Sequence, residues 1–199
     1  LSRLNTETIR EKILEEMNYR GYINGRKVLV SAVNLEKNKN YEGREISEIA
    51  GEEGKNIFEF ILDLLFEEEG NVGAIYMSMD EEDVRRVMKD PFTATGNDAS
   101  ASATEGPLFR GKPHPRTYGT FPRVLGKYSR EEGLFSMEEG IRKMTSLPAK
   151  ILGITDRGIV KHGMAADLVV FDRNTIEDRG TYKEPHNYPK GIEYVMVNG

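Results

Sequence analysis

Asp98 is the residue of this chain best placed for chemistry. It follows the short apolar stretch Phe92 to Thr95 through Gly96 and Asn97, and it opens a stretch rich in Gly, Pro, Ser and Thr that runs to Arg123. In α/β enzymes a carboxylate at the end of a strand, at the start of a long loop, sits where proton-transfer groups are carried. The structural alternative is that Asp98 makes a turn with Asn97 or caps a nearby backbone donor. Residues 114–123 concentrate His114, Arg116, Tyr118 and Arg123. Guanidinium forks, a phenol and an imidazole suit recognition of a carboxylate on a small anionic substrate. Read from the residues alone, the simpler account is that Arg116 and Arg123 pin the loop through salt bridges while His114 bonds to backbone.

Histidines occur only at positions 114, 162 and 186, none has a histidine two or four residues away, and there is no cysteine. A zinc site needs three or four His, Cys or carboxylate ligands, so a complete one is not expected here. His162 and His186 read as structural or solvated. The acidic runs Glu67 to Glu69 and Asp80 to Asp83 read as helix ends and solvated faces. No phosphate loop, dinucleotide fingerprint or nucleophile elbow occurs.

The elements that must position these residues follow from periodicity. Ile9, Ile13, Leu14 and Met17 predict a helix from Thr6 to Tyr19, and Lys27 to Val33 reads as a strand before an asparagine-rich polar loop. Ile57 to Glu67 predicts a largely buried helix, with Ile57, Phe60, Ile61, Leu64 and Leu65 on one face and Phe58, Leu62 and Phe66 widening it. Val72 to Met77 reads as a buried strand. Ser78 to Glu81 reads as a capping box for a helix with Val84, Val87 and Met88 inward, ended by Pro91. Phe92 to Thr95 then reads as a third strand. Strands alternating with helices predict parallel βα units, as in a barrel or an open α/β sheet.

Ser136 to Glu139 forms a second capping box; Ser146 and Pro148 restart that helix, and Gly153 closes it. Beyond it, 158–163, 167–171 and 192–197 read as strands joined by turns, forming a small β unit. The expected organisation is therefore 1–153 as α/β part, including the loop 99–123, and 154–199 as β part. Leu1 in place of a methionine, and a last strand running into Asn198-Gly199, read as a segment of something longer.

The net charge of −5 with dispersed basic residues predicts no nucleic-acid partner and no membrane partner. The absence of cysteine, and of any leader or long apolar run, predicts a cytoplasmic protein. A chain without glutamine and with 31% charged residues is expected to carry many ion pairs.

Four segments together resemble the C-terminal half of N-acyl-D-amino-acid deacylases, or D-aminoacylases, of the amidohydrolase superfamily. They are Gly96-Asn97-Asp98, HPRTYGTFPRVL from His114 to Leu125, MTSLPA from Met144 to Ala149, and GMAADLVVFD from Gly163 to Asp172. The likeness runs from YEGR at Tyr41 to Arg44 through EPHNYPKGIEY at Glu184 to Tyr194. It implies the C-terminal part of a TIM-like (β/α)8 barrel, in 1–153, followed by strands of a small β-sandwich, and a zinc-activated water that attacks the acyl amide of an N-acyl-D-amino acid. In this resemblance Asp98 is the general base and acid on that water and a candidate ligand of the metal. Arg116, Tyr118 and His114 are the candidate substrate-binding residues. The chain departs from the family at Asn97-Asp98-Ala99, where Ser-Asp-Gly is common. The family's His-x-His pair, metal cysteine and later metal histidines precede the region matched here. The expected partner is an N-acyl-D-amino acid. The rival expectation is a catalytically silent module that lacks the metal site and associates with the remainder of its parent chain or with itself.

Overall fold

The computed structural model describes residues 6–20, 23 and 26–199, which divide into two compact units. The first comprises the described residues up to Ser78 together with Phe109–His114; the second comprises Met79–Leu108 and Pro115–Gly199. No helix among the described residues is long and apolar enough to cross a membrane.

In the first unit, α1 (Glu7–Arg20) presents its predicted stripe, Ile9, Ile13, Leu14 and Met17, as its less exposed side. Arg10 on the same side pairs with Asp63 and donates to the Glu59 carbonyl at 3.3 Å. Strand β1 (Val28–Ala32) is followed by a 3-10 turn at Glu36–Tyr41, by α2 (Ile46–Glu52) and by α3 (Ile57–Glu67). Asn56 caps α3 by accepting from the Phe58 N–H at 2.9 Å. Phe58, Phe60, Leu62 and Leu64 are its buried side chains, whereas Phe66 is exposed. Val28, Val30, Val33, Ile46, Ile49, Ala50, Phe60 and Leu64 make the core.

Strand β2 (Gly73–Tyr76) pairs with β1 antiparallel, Val28 lying opposite Tyr76, and it is half-buried in alternation rather than buried. This corrects the expected parallel pairing. One helix between two strands returns the chain to the end from which it started, so the strands run parallel; the two helices α2 and α3 leave it at the opposite end. The register slips between Val30 and Ala32, so Ser31 is bulged. Its carbonyl accepts from the Lys112 N–H, which is how 109–114 joins this unit. Gly111 lies so close beneath β1 that a Cβ there would stand 2.3 Å from the Ser31 oxygen.

The second unit begins with α4 (Glu81–Lys89), whose cap is Asp80 rather than Ser78: the Asp80 carboxylate accepts from the Glu82 N–H at 2.7 Å. Val84 and Met88 are half-buried, but Val87 is 55% exposed and does not belong to the inward face. Phe92 to Thr95 is not a strand, and Phe92 is exposed. No described strand lies beside it to complete a ladder; the Thr93 carbonyl and the Thr95 N–H are met by Lys143, and the Phe92 and Thr93 N–H groups by Asp90.

The expected loop also ends early. Arg116–Arg123 forms helix α5 with Pro122 inside it, and the chain continues through Glu131 in wider π-type turns. Pro122 has no N–H to donate and its ring crowds the preceding turn, so the ladder loosens beyond it. Gly126 in these turns packs on the Ile176 carbonyl, where a Cβ would stand 2.5 Å away. Ser136 caps α6 (Met137–Met144) as predicted, accepting from the Glu139 N–H at 3.2 Å. Helix α7 (Ser146–Ile151) follows, and Gly153 at φ +70° ends it.

The predicted strand at 158–163 is irregular, with a bend at 158–159 and a turn at 162–163, and no described strand pairs with it. Strands β3 (Leu168–Phe171) and β4 (Ile192–Met196) form an antiparallel ribbon. Ile176 and Phe171 pack with Leu125, Met137, Ile141 and Met144 into one core. Residues on both sides of position 153 contribute to that core.

Candidate functional site

Asp98 has its backbone in the left-handed region, at φ +47°, and its side chain is 91% exposed. Asp tolerates this conformation better than most residues because its short polar side chain makes local bonds. Arg116, the first residue of α5, places Nη2 3.0 Å from Asp98 Oδ2. A cation at a helix N-terminus opposes the helix dipole, and the Asp98 carboxylate beside it offsets that charge.

Tyr118 lies two positions along α5 from Arg116, a spacing that turns it to another side of the helix. Its hydroxyl is 3.1 Å from His186 Nδ1. Its ring stands edge-on to His186 at 5.8 Å and to Tyr188 at 5.6 Å. Burial, and after it the neighbouring Tyr188, pushes the Tyr118 phenol above its ordinary range. The residues grouped by sequence therefore divide. Arg116 joins Asp98, Tyr118 joins His186 and Tyr188, and His114 is half-buried at the end of the 109–114 segment of the first unit.

Arg123 takes the structural role foreseen as the simpler reading: Nη1 bonds Asp178 Oδ2 at 3.0 Å. Glu81, expected on a solvated face, instead receives Lys127 Nζ and the Tyr128 hydroxyl, the latter at 2.8 Å. Burial would raise its carboxyl, but these two hydrogen bonds outweigh burial and hold it below the usual range. Arg85 grips Glu132 with two bonds of 2.8 and 3.0 Å. Oppositely charged residues thus bridge α4 to the π-type turns and to Glu132 just after them.

Three residues passed over in the sequence are structurally prominent. His186 completes the Tyr118 cluster; in the sequence it stands out only as part of the EPHNYPKGIEY segment. Lys143 is 1% exposed; it interrupts the apolar stripe of α6 in phase with Met137 and Gly140, and that phase is its signal. Glu68 is 2% exposed and lies four residues beyond Leu64, in phase with the buried side of α3.

A polar recess of about 210 Å³ in the first unit is lined by Lys37, Tyr41, Glu53, Lys55, Asp63 and their neighbours, and contains none of the candidate residues. Its charges are satisfied within it: Lys55 pairs with Asp63 at 2.9 Å and Lys37 with Glu67 at 3.0 Å.

A sequence profile of the amidohydrolase family matches residues 43–199. The chain belongs to that family. Among its relatives, an N-acyl-D-glutamate deacylase of Alcaligenes xylosoxydans xylosoxydans is 44% identical over 64% of this chain and 25% of its own length. A D-aminoacylase of the same organism is 42% identical over 79% of this chain and 30% of its own. A solved N-acyl-D-glutamate deacylase of Bordetella bronchiseptica, complexed with zinc and a phosphonate that mimics the tetrahedral intermediate, superposes with a TM-score of 0.75 at 35% identity. That superposition covers 86% of this chain and 33% of the solved one. The chain thus spans a quarter to a third of the length of these relatives.

For an amidohydrolase the immediate question is the metal. Among the described residues no three His, Cys, Asp or Glu side chains converge as ligands. His162 is exposed, and His186 turns Nδ1 to Tyr118. These residues do not by themselves fit a zinc site.

Proposed function

We propose that this chain is the segment of a zinc-dependent N-acyl-D-amino-acid deacylase that carries the proton-transferring carboxylate, Asp98. The observation that carries this reading is the Asp98–Arg116 pair. An exposed carboxylate on a left-handed turn, held at one oxygen by the first residue of a helix, keeps its second oxygen directed by that bond and open to a reacting water.

In the reaction the water oxygen bonds the acyl carbon and the amide C–N bond breaks. The proton lost by water passes to the Asp98 carboxylate and then to the leaving amine nitrogen, so the carboxylate is regenerated. Zinc in this proposal is held by the rest of the protein, because the described residues do not supply its ligands. The 199 residues alone are correspondingly silent. Exposed Val169, Tyr194, Val195 and Val197 favour self-association when the chain is isolated.

Arg116 is the residue proposed to take the substrate carboxylate, which the planar fork of a guanidinium suits. Arg116→Ala is expected to raise KM for N-acyl-D-amino acids about 10-fold or more, the scale of a lost charge-assisted hydrogen bond. An unchanged KM returns Arg116 to holding Asp98 alone.

The reading as a whole is tested by assaying the full-length protein on N-acyl-D-glutamate, N-acyl-D-aspartate, neutral N-acyl-D-amino acids and their L-enantiomers. Release of free D-amino acid by a zinc-loaded protein is expected. No hydrolysis of any D-substrate sinks the proposal, and stoichiometric zinc with deacylase activity in the isolated 199-residue chain refutes its silence.

A further inference from the structure

The stretch that leads to Asp98 has no described strand beside it, yet its backbone is not free. Lys143, on the buried side of α6, donates from Nζ to the Asp90 carbonyl and, at 3.2 Å, to the Thr93 carbonyl. The Lys143 carbonyl in turn accepts from the Thr95 N–H at 2.9 Å. Its neighbour Arg142 donates to the Pro91 carbonyl. Both cations share one counter-ion. Glu139 takes two bonds of 2.7 Å from Arg142, and its Oε1 is 3.8 Å from Lys143 Nζ.

Fully buried lysines are rare, because removing an ammonium from water is costly unless its donors are matched. Here the ammonium is spent on carbonyls of 90–93, and the backbone bond to Thr95 lies three residues before Asp98. The αL turn at Asp98 therefore extends from a segment anchored at Asp90, Pro91, Thr93 and Thr95 to one helix.

We propose that Lys143 is a positioning residue for Asp98: together with Arg142 it clamps 90–95 to α6 and so sets where the Asp98 carboxylate stands. The consequence for turnover rests on Asp98 carrying the proton; the clamp itself does not. A misplacement of about 1 Å in a reacting group can cost about 10²-fold in rate, which sets the expected scale.

Lys143→Met in the full-length protein keeps most of the buried stem and removes the donors. It is expected to lower kcat about 10- to 100-fold with KM changed less than about 3-fold, because substrate contacts elsewhere are untouched. Amide hydrogen exchange over 91–98 should quicken while exchange in the first unit stays unchanged. Unchanged kcat in a folded Lys143→Met protein overturns the proposal, and so does unchanged exchange over 91–98. Should that variant not fold, Arg142→Met, at a more exposed position, replaces it, and wild-type exchange over 91–98 there overturns the clamp. Full activity in Asp98→Asn would instead overturn the reading on which the rate effect rests, while leaving the exchange result to judge the clamp.

Discussion

Asp98→Asn is expected to lower turnover of N-acyl-D-amino acids by about 10²- to 10⁴-fold, the range of positioned acid–base catalysis, with little change in KM. The choice of substitution matters. Asp98 holds φ at +47°, a region that Asn enters readily and most residues do not, so Asn keeps the turn. Its side-chain oxygen can still accept from Arg116, whose bond to Asp98 is 3.0 Å long. What Asn cannot do is take a proton from water and return it to the amine. Ala would mix that loss with backbone strain and the loss of the bond from Arg116. Near-normal kcat in Asp98→Asn, from steady-state assays of the zinc-loaded full-length protein, would remove Asp98 from the mechanism.

The second large effect concerns stability. Glu68, at the C-terminal end of α3, is buried where the helix dipole disfavours a negative charge. It is held by donors from the 34–38 segment: Oε2 accepts from the Asn34 and Leu35 N–H groups at 2.6 and 3.1 Å, and Oε1 from Asn38 Nδ2 at 2.7 Å. Burial alone would raise its carboxyl. The Asn38 side chain and the two backbone donors outweigh burial, and the group lies below the ordinary glutamate range.

Glu68→Gln turns an amide N–H toward donors that need an acceptor. The expected loss is about 1–3 kcal/mol in urea unfolding at pH 7. Because the folded-state pKa is the lower one, the ionised group's contribution is fully present above the unfolded value of about 4.3. It is lost as pH falls below that value and through the folded one. The gap between wild type and Glu68→Gln should therefore hold from pH 7 to about 5 and narrow in more acid solution. A gap that widens on acidification would show that the carboxylate is not what stabilises this corner.

Both residues show how far the sequence can be read. Asp98 was visible because a carboxylate at the head of a long polar stretch is a local pattern. Its partner Arg116 was visible only as a member of a basic loop, and it was grouped with Tyr118 because neither was known to be helical. Once 116–123 winds into α5, a spacing of two separates them, and Tyr118 meets His186 from a loop near the other end of the chain. Glu68 was lost in an acidic run, although its phase with Leu64 pointed inward. Lys143 presents the same conflict: its charge points to the surface, whereas its position in the stripe of α6 points inward.

By itself the sequence determined α1, α3, α6, the restart at α7, and strands β1 to β4, since caps, breakers and the 3.6 and 2 periods act within a few residues. It also carried the motifs that align with the amidohydrolase family. Only the tertiary structure decided that β1 and β2 run antiparallel, that Phe92 to Thr95 is clamped to a helix instead of paired in a sheet, and that Asp98 stands against Arg116. Each of these depends on which donor or acceptor arrives from a segment far away in the chain. A backbone carbonyl at Thr93 is satisfied equally by a strand or by a lysine, and nothing within its own neighbourhood chooses between them.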